Sequence, residues 1–188
     1  MKLVSLHKNY ASLVKKAAKQ NRRAQHELFE LFAPRMLSVC RQYLKNNEEA
    51  EEVMLNGFMK VFSRIDSYSG QGSFEGWIRR IMVNESLSQL RRLKQLDFTD
   101  EPAIENSVVH AQQPDSTLAV EEVQRLIDAL PGGYKAVFVL YAVEGYKHGE
   151  IAELLSISEG TSKSQLSKAR AMLQKMIENQ NKQQYGTR

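Results

Sequence analysis

The sequence predicts an all-α protein of two small helical bundles joined by an acidic, flexible segment. Apolar residues recur at three- and four-residue steps through most of the 188 residues, the period of a helix with one buried face. Strand signals are weak, because no run of alternating β-branched residues is bounded by turn residues. Segment 97–117, DFTDEPAIENSVVHAQQPDST, has two prolines and no sustained period, which is typical of a linker. We therefore place one domain at 1–95, the linker at 96–117 and a second domain at 118–188.

The first bundle begins with two amphipathic helices. One spans 28–44, and Pro34 within it either kinks one helix or separates two. The other starts near Asn47, a fair N-cap, and the helix dipole favours the two glutamates that follow it. The apolar stripes are Leu28, Phe29, Phe32, Met36, Val39, Cys40 and Tyr43 in the first helix, and Met54, Phe58, Val61, Phe62 and Ile65 in the second. We expect these stripes to form the core, with Cys40 as a small buried residue.

An aromatic and basic helix closes the first bundle. It spans 74–94 and follows the turn-rich loop 66–73, DSYSGQGS. Its apolar stripe is Phe74, Trp77, Ile78 and Ile81. Residues 79–94 hold five basic side chains and one acid. Because aromatic rings stack on unpaired bases and arginines neutralise phosphates, this helix suits a DNA strand that has been opened.

The second bundle starts with a helix over 118–130, which the sequence PGG at 131–133 ends. A helix over 134–143 follows, and Gly145 is predicted to cap it through the left-handed conformation. The residues expected to face inward are Val123, Leu126, Ile127, Leu130, Val137, Phe138 and Tyr141. The tail after Glu178 is polar, and we expect it to fray.

The stretch 145–172, GYKHGEIAELLSISEGTSKSQLSKARAM, has the pattern of a helix-turn-helix. Ser158 is the predicted N-cap of its second helix. The buried face of that helix is Leu166, Ala169, Leu173 and Met176, and the outward stripe is Thr161, Ser164, Gln165 and Lys168. A short, polar and weakly basic stripe suits a helix that enters a major groove. Periodicity alone leaves an ordinary helical hairpin as the alternative.

The net charge of +4 is distributed unevenly along the chain. Residues 1–94 carry a net charge of +8, residues 95–130 of −7, and residues 131–188 of +3. The two basic blocks indicate binding to a polyanion such as nucleic acid. Composition alone does not explain the acidic segment between them.

Composition also excludes several kinds of site. The single cysteine excludes an internal disulfide and favours a cytoplasmic location, and the four scattered histidines offer no metal-ligand spacing. Neither a Walker-type phosphate loop nor a nucleophile elbow is present. No apolar run approaches the roughly 20 residues needed to cross a bilayer, and the N-terminus is too polar for a signal peptide. We therefore expect a protein that is not an enzyme, with no catalytic residue, metal, cofactor or integral membrane segment.

Three stretches of the chain strongly resemble the extracytoplasmic-function sigma factors of bacterial RNA polymerase. They are EEAEEVMLNGFMKVF at 48–62, GSFEGWIRRIMVNESLSQLRR at 72–92 and LPGGYKAVFVLYAVEGYKHGEIAELLSISEGTSKSQLSKARAML at 130–173. The resemblance covers nearly the whole chain except the linker and the tail, and the order and spacing of the motifs make it specific. It implies sigma region 2 in the first bundle and sigma region 4 in the second. The implied function is to bind core RNA polymerase and direct promoter-specific transcription initiation.

The resemblance also implies roles for individual residues. The helix over 48–62 would dock on the clamp helices of the largest polymerase subunit, with contacts from Glu52, Leu55, Asn56, Phe58 and Met59. The first bundle would capture flipped bases of the melted minus-ten element and hold nearby phosphates with Tyr68, Ser73, Phe74, Trp77, Arg79, Arg80, Asn84, Arg91 and Arg92. The second bundle would read the minus-thirty-five element as duplex with Thr161, Ser162, Lys163, Ser164, Gln165, Ser167, Lys168 and Arg170.

The implied partners are core RNA polymerase, through its clamp helices and flap, promoter DNA and an anti-sigma factor. The acidic linker would thread the active-site cleft and the RNA exit channel, where its charge mimics RNA. The chain departs from many relatives at Leu55, which removes a polar contact, at Ser162, where valine is common, and at Gln165, where arginine is common. Because glutamine pairs with adenine and arginine favours guanine, Gln165 predicts a different minus-thirty-five preference.

Two other functions remain open from the sequence. A stand-alone helix-turn-helix regulator would explain 131–173 but not the first bundle. A helical interaction protein would make the basic surfaces incidental. Dimeric binding to a palindrome without polymerase would favour the regulator, and tolerance of charge substitutions would favour the interaction protein.

Overall fold

The computed structural model describes the backbone of residues 4–93, 95–98 and 116–185, and the side chains of 10–93, 95–98 and 121–181. Within these ranges the chain forms helices and no strands, which confirms the predicted fold class. Most of the predicted linker, residues 99–115, lies outside them. The chain divides into two compact units, Met1–Gln89 and Leu90–Arg188.

The helices of the first unit are α1 (Val4–Ala18), α2 (Arg22–Tyr43), α3 (Asn47–Arg64) and α4 (Phe74–Arg92), with a 3₁₀ turn at Ile65–Ser67; α4 continues past the unit boundary. No bounds were predicted for α1. Pro34 lies inside α2, which continues unbroken through it, so the proline does not divide this helix. The chain turns between α1 and α2 at Gln20, which has a φ of 59°. Asn21 then caps α2, because its side-chain oxygen accepts the N–H of Ala24 at 2.9 Å.

The N-cap of α3 is Asn46, so the prediction of Asn47 was wrong by one residue. The Asn46 side-chain oxygen accepts the N–H of Glu49 at 2.7 Å. A cap residue needs an extended backbone just before the first helical residue, and Asn46 has φ −116° and ψ 157°. Glu48 and Glu49 lie in the first turn, as predicted, where the helix dipole favours negative charge.

The core of the first unit follows the predicted stripes closely. All of these predicted residues are buried: Leu28, Phe32, Met36, Val39, Cys40, Tyr43, Met54, Phe58, Val61, Ile65, Phe74 and Ile78. Phe29, Phe62, Trp77 and Ile81 are half-buried. Burial raises the pKa of the Cys40 thiol to about 11, although a hydrogen bond to Ser86 acts in the opposite direction. Cys40 is therefore an inert core residue at neutral pH, as predicted.

The second unit contains α5 (Ser116–Asp128), α6 (Gly132–Phe138), a π-helical turn (Val139–Val143), α7 (His148–Leu155) and α8 (Glu159–Tyr185). Its core includes Leu130 and Tyr134 packed on Ala169 of α8. Gly145 has a φ of 77°, so its predicted left-handed conformation is confirmed. The tail does not fray where predicted, because α8 continues to Tyr185.

Two residues predicted to face inward in this unit are exposed. Tyr141 lies in the π-helical turn, where the N–H of Glu144 donates to the carbonyl of Val139. The wider turn rotates the side chains relative to an α-helix, so that Val139 and Leu140 are buried and Tyr141 is not. Val123 of α5 is 56% exposed.

The cap of α3 gives a test with a neighbouring control. We expect Asn46→Ala to lower the free energy of unfolding by about 1 kcal/mol, because an N–H in the first turn loses its acceptor. Asn47→Ala should have little effect. Urea unfolding of each variant can be followed by the fluorescence of Trp77, the single tryptophan of the chain. A larger loss for Asn47→Ala would contradict the assignment of the cap.

Candidate nucleic-acid interface

Three aromatic rings form a cluster where the chain enters α4. The rings of Phe74 and Trp77 are stacked, with centroids 5.6 Å apart and an interplanar angle of 23°. The ring of Tyr68 packs edge-on against Phe74 at 5.1 Å. The Tyr68 hydroxyl donates a hydrogen bond of 2.8 Å to the carbonyl of Gly72. This hydrogen bond holds the loop against the aromatic cluster.

The loop between Tyr68 and α4 has a backbone that requires glycine. Gly70 and Gly72 have φ values of 77° and 78°, in the left-handed region that L side chains rarely adopt. Ser73 precedes α4, and its hydroxyl accepts the N–H of Gly76 at 3.0 Å. Ser73 therefore has a capping role that was not predicted, alongside its predicted contact with DNA.

A cavity of about 280 Å³ lies beside the cluster, and we call it the aromatic pocket. Its walls come from Tyr10, Ala11 and Val14 of α1, Phe32 of α2, and Tyr68, Gly70, Gly72, Ser73, Phe74 and Glu75. Phe74 is thus buried and still borders open space. The contribution of α1 was missed by sequence reasoning, although Tyr10 and Val14 have the i, i+4 spacing of one helix face. Flat apolar walls of this kind suit a planar aromatic ligand.

The outer side of α4 carries a row of polar groups next to the pocket. Trp77, Arg80 and Asn84 share one face of the helix because they are separated by three and four residues. Trp77 is half-buried, whereas Arg80 and Asn84 are exposed. Of the other predicted arginines, Arg79 is half-buried and Arg91 and Arg92 are exposed. This face of the helix can therefore offer an aromatic ring, a guanidinium and an amide together.

The helix-turn-helix is formed by α7, a short turn and α8. Ser156 ends α7 in the left-handed conformation, with a φ of 57°. The predicted cap of α8 is confirmed, because the Ser158 hydroxyl accepts the N–H of Thr161 at 2.9 Å. On the inner side, the buried residues Ile151, Leu155, Leu166 and Ala169 hold the two helices together. Leu173 and Met176, also predicted to be buried, are half-buried.

The predicted outward stripe of α8 is wrong at Gln165. This side chain is 1% exposed, and its Nε2 donates to the carbonyl of Phe98 at 3.2 Å. Ser162, also predicted to contact DNA, is buried and its hydroxyl lies 2.9 Å from Nδ1 of His148. Both residues extend the buried face of Leu166 and Ala169 towards the start of α8. That continuation was the sequence signal for their burial.

The exposed face of α8 therefore differs from the predicted stripe of Thr161, Ser164, Gln165 and Lys168. Lys163, Ser164, Ser167 and Arg170 are exposed, and Thr161 and Lys168 are half-buried. The ammonium group of Lys163 lies 2.7 Å from the carboxylate of Glu159, and this hydrogen-bonded pair lowers the pKa of Glu159. The guanidinium of Arg170 lies over the ring of Tyr141, 5.5 Å from its centroid. This surface is polar and moderately cationic.

A third surface lies on α3 in the first unit. Leu55 and Met59 are 51% and 71% exposed and lie one helical turn apart, so they form an apolar patch. Glu52 and Asn56 beside them are also exposed. Phe58, predicted to contact a partner here, is instead buried, and its ring packs edge-on against Phe29 at 4.9 Å. Exposed apolar pairs of this kind are typical of protein contact surfaces.

The described residues contain neither a metal-binding cluster nor a membrane-spanning helix. No group of three or more His, Cys, Asp or Glu side chains in these ranges is arranged to hold a metal ion. None of the helices described has the length and apolar character that crossing a membrane requires.

Comparison with known proteins identifies both units. The family model for Sigma-70 region 2 matches residues 28–95, and the model for Sigma-70, region 4 matches residues 120–173. The chain is 25% identical to the ECF RNA polymerase sigma factor SigW of Bacillus subtilis, over 88% of this chain and 97% of that protein. It is 30% identical to the ECF RNA polymerase sigma factor SigE of Mycolicibacterium smegmatis, over 78% of this chain and 59% of that protein.

Two solved structures share the fold. One is CnrH in complex with the cytosolic domain of CnrY, with a TM-score of 0.52 and 22% identity over 89% of this chain and 96% of that one. The other is the sigma factor RpoE of Bartonella quintana in complex with the anti-sigma factor NepR, with a TM-score of 0.54 and 23% identity over 81% of this chain and 96% of that one.

Proposed function

Because the chain belongs to the extracytoplasmic-function sigma factors of bacterial RNA polymerase, we propose that it binds core polymerase and directs transcription initiation at specific promoters. The observation that carries this proposal is the presence of two different candidate DNA surfaces in one chain. The aromatic pocket suits a strand that has been opened, and the helix-turn-helix suits closed duplex. A stand-alone regulator is not favoured, because it would leave the region 2 match over 28–95 without a role.

The first surface captures the minus-ten element. We assign an unstacked base to the aromatic pocket, where Tyr68 and Phe74 form part of the wall. Trp77, Arg80 and Asn84 then contact neighbouring bases, and the predicted phosphate contacts are Arg79, Arg91 and Arg92. Stacking of a base on an aromatic ring contributes about 1–3 kcal/mol, which is similar to the cost of unstacking it from the duplex. Trapping a base in this way favours the open promoter.

The second surface reads the minus-thirty-five element. We assign base contacts to Ser164 and Ser167 on the exposed side of α8, because small hydroxyl side chains allow the helix to approach base edges. The contacts that position the helix are assigned to Thr161, Lys163, Lys168 and Arg170. With only a few cations, this surface binds duplex weakly alone, and core polymerase supplies the rest of the affinity.

The remaining roles concern partners. The Leu55 and Met59 patch docks on the clamp helices of core polymerase, with Glu52 and Asn56 at its edge. We retain the functional division at 1–95, 96–117 and 118–188, with the acidic segment in the polymerase cleft. Region 4 contacts the flap, and an anti-sigma factor holds the protein inactive. The protein works in the cytoplasm and has no catalytic step of its own.

Reconstituted transcription tests the proposal directly. Core polymerase is supplied with a genomic promoter library, with and without this protein, and transcript start sites are sequenced. We expect a set of starts that require the protein and share two elements upstream. If no promoter gives a protein-dependent start, the proposed function is wrong.

The apolar patch on α3 gives a second prediction. We expect Met59→Glu to weaken binding to core polymerase at least about tenfold, because an exposed apolar anchor is replaced by a charge that must be desolvated. The control is Leu31→Glu on α2, where the native leucine is also exposed, at 42%. Affinity can be measured by competition with a labelled wild-type protein. Equal losses in the two variants would contradict docking through this patch.

The aromatic cluster gives a third prediction. We expect Trp77→Ala to weaken binding of the polymerase complex to a forked DNA with a single-stranded minus-ten element by about tenfold, the effect of losing one stacked base. Trp77→Phe should retain most of the affinity because it keeps a ring. Binding to a duplex with only the minus-thirty-five element should not change. An equal effect on both DNAs would point to lost folding instead of lost stacking.

A further inference from the structure

Residues 95–98 form a short segment outside any helix, which we call the strap. It follows α4, which ends where the N–H of Gln95 donates to the carbonyl of Leu90 at 3.0 Å. The strap belongs to the second unit and lies against the start of α6 and the side of α8. Leu96 and Phe98 within it are half-buried.

Two glycines of α6 make room for the strap. A Cβ atom at Gly132 would lie 1.8 Å from the carbonyl oxygen of Gln95, and one at Gly133 would lie 2.1 Å from the carbonyl oxygen of Asp97. The obstructing atoms are backbone, so they cannot move aside without moving the strap. Neither glycine has a positive φ, so conformation does not require them. Because glycine costs a helix about 1 kcal/mol relative to alanine, close approach of the strap is the physical reason for this pair.

The strap also engages α8 through Gln165. The carbonyl of Phe98 accepts one N–H of the Gln165 amide, and the Oε1 atom of the same amide is buried without a hydrogen-bond partner in the described chain. A buried polar atom that is left unpaired destabilises the state that contains it. With the strap docked, the Gln165 amide therefore has a partner for its N–H group but none for its buried oxygen.

We propose that the strap is a self-inhibitory contact, which rests on the proposed function of α8 in reading duplex DNA. While docked, it takes the Gln165 donor that a base edge would need. Release of the strap frees a donor and an acceptor that together match adenine. Strap docking and base contact by Gln165 thus exclude each other.

Gly133→Ala in the full-length chain tests the contact without any partner. We expect faster hydrogen–deuterium exchange over residues 90–98 in the free protein, because the added methyl group displaces the strap. The control is Gly149→Ala, where a Cβ would meet nothing within 4 Å. Phe98→Ala is a second variant, since it weakens the strap without altering a helix. Unchanged exchange in both Gly133→Ala and Phe98→Ala would overturn the proposal.

Duplex binding tests the inhibition. The probe is a labelled pool of 30-base-pair duplexes with random central sequence. We expect Gly133→Ala to bind the pool about five- to tenfold more tightly than wild type, and Gly149→Ala to bind equally to it. Adding Gln165→Met to Gly133→Ala should remove the sequence preference selected from the pool. Faster exchange without tighter binding would overturn the inhibition, whereas absence of polymerase-dependent transcription would remove only the proposed function.

Discussion

The packing of α8 against α6 decides what the second unit can present to a partner. Leu130, Tyr134 and Ala169 form the centre of this contact, and it fixes the rotation of α8 about its own axis. Once that rotation is set, every side chain of α8 is assigned to the core, to the strap or to solvent. The cap at Ser158 and the left-handed residue Ser156 then fix where α8 starts. The starting point and the direction of α8 therefore follow from local backbone geometry.

Most of the fold could be predicted from periodicity, because each helix buries one continuous stripe. Leu28 to Tyr43 and the helix-turn-helix are clear examples. The failures share a physical cause. Gln165 is buried by a carbonyl 67 residues away, and Tyr141 is exposed because a π-helical turn breaks the 3.6-residue period. Local sequence shows neither the distant carbonyl that pairs with Gln165 nor the change of helical register, although the spacing of Gln165 from Ser162 and Ala169 did indicate a buried position.

The candidate site was predicted unevenly for related reasons. Arg80, Asn84, Leu55 and Met59, which the family resemblance indicated as contact residues, are all exposed. The aromatic pocket could not be predicted, because its walls come from three separate helices and a loop. Phe58 shows the opposite error, because it was predicted to contact a partner and its ring packs in the core.

Two surfaces of modest strength still give selective binding when one chain links them, because the second contact forms at high effective concentration.

The loop beside the aromatic pocket has an evolutionary consequence. Tyr68 and Phe74 fasten its two ends, while residues 69–73 are exposed and the space around Gly70 and Gly72 is open. Substitutions at Ser69 and Gln71 change the exposed loop beside the pocket without changing any core contact. A duplicated gene can therefore change the proposed minus-ten surface at these two positions while the helices beneath remain unaltered. Divergence among paralogues should concentrate at Ser69 and Gln71, because Gly70 and Gly72 need their left-handed backbone and Ser73 caps α4.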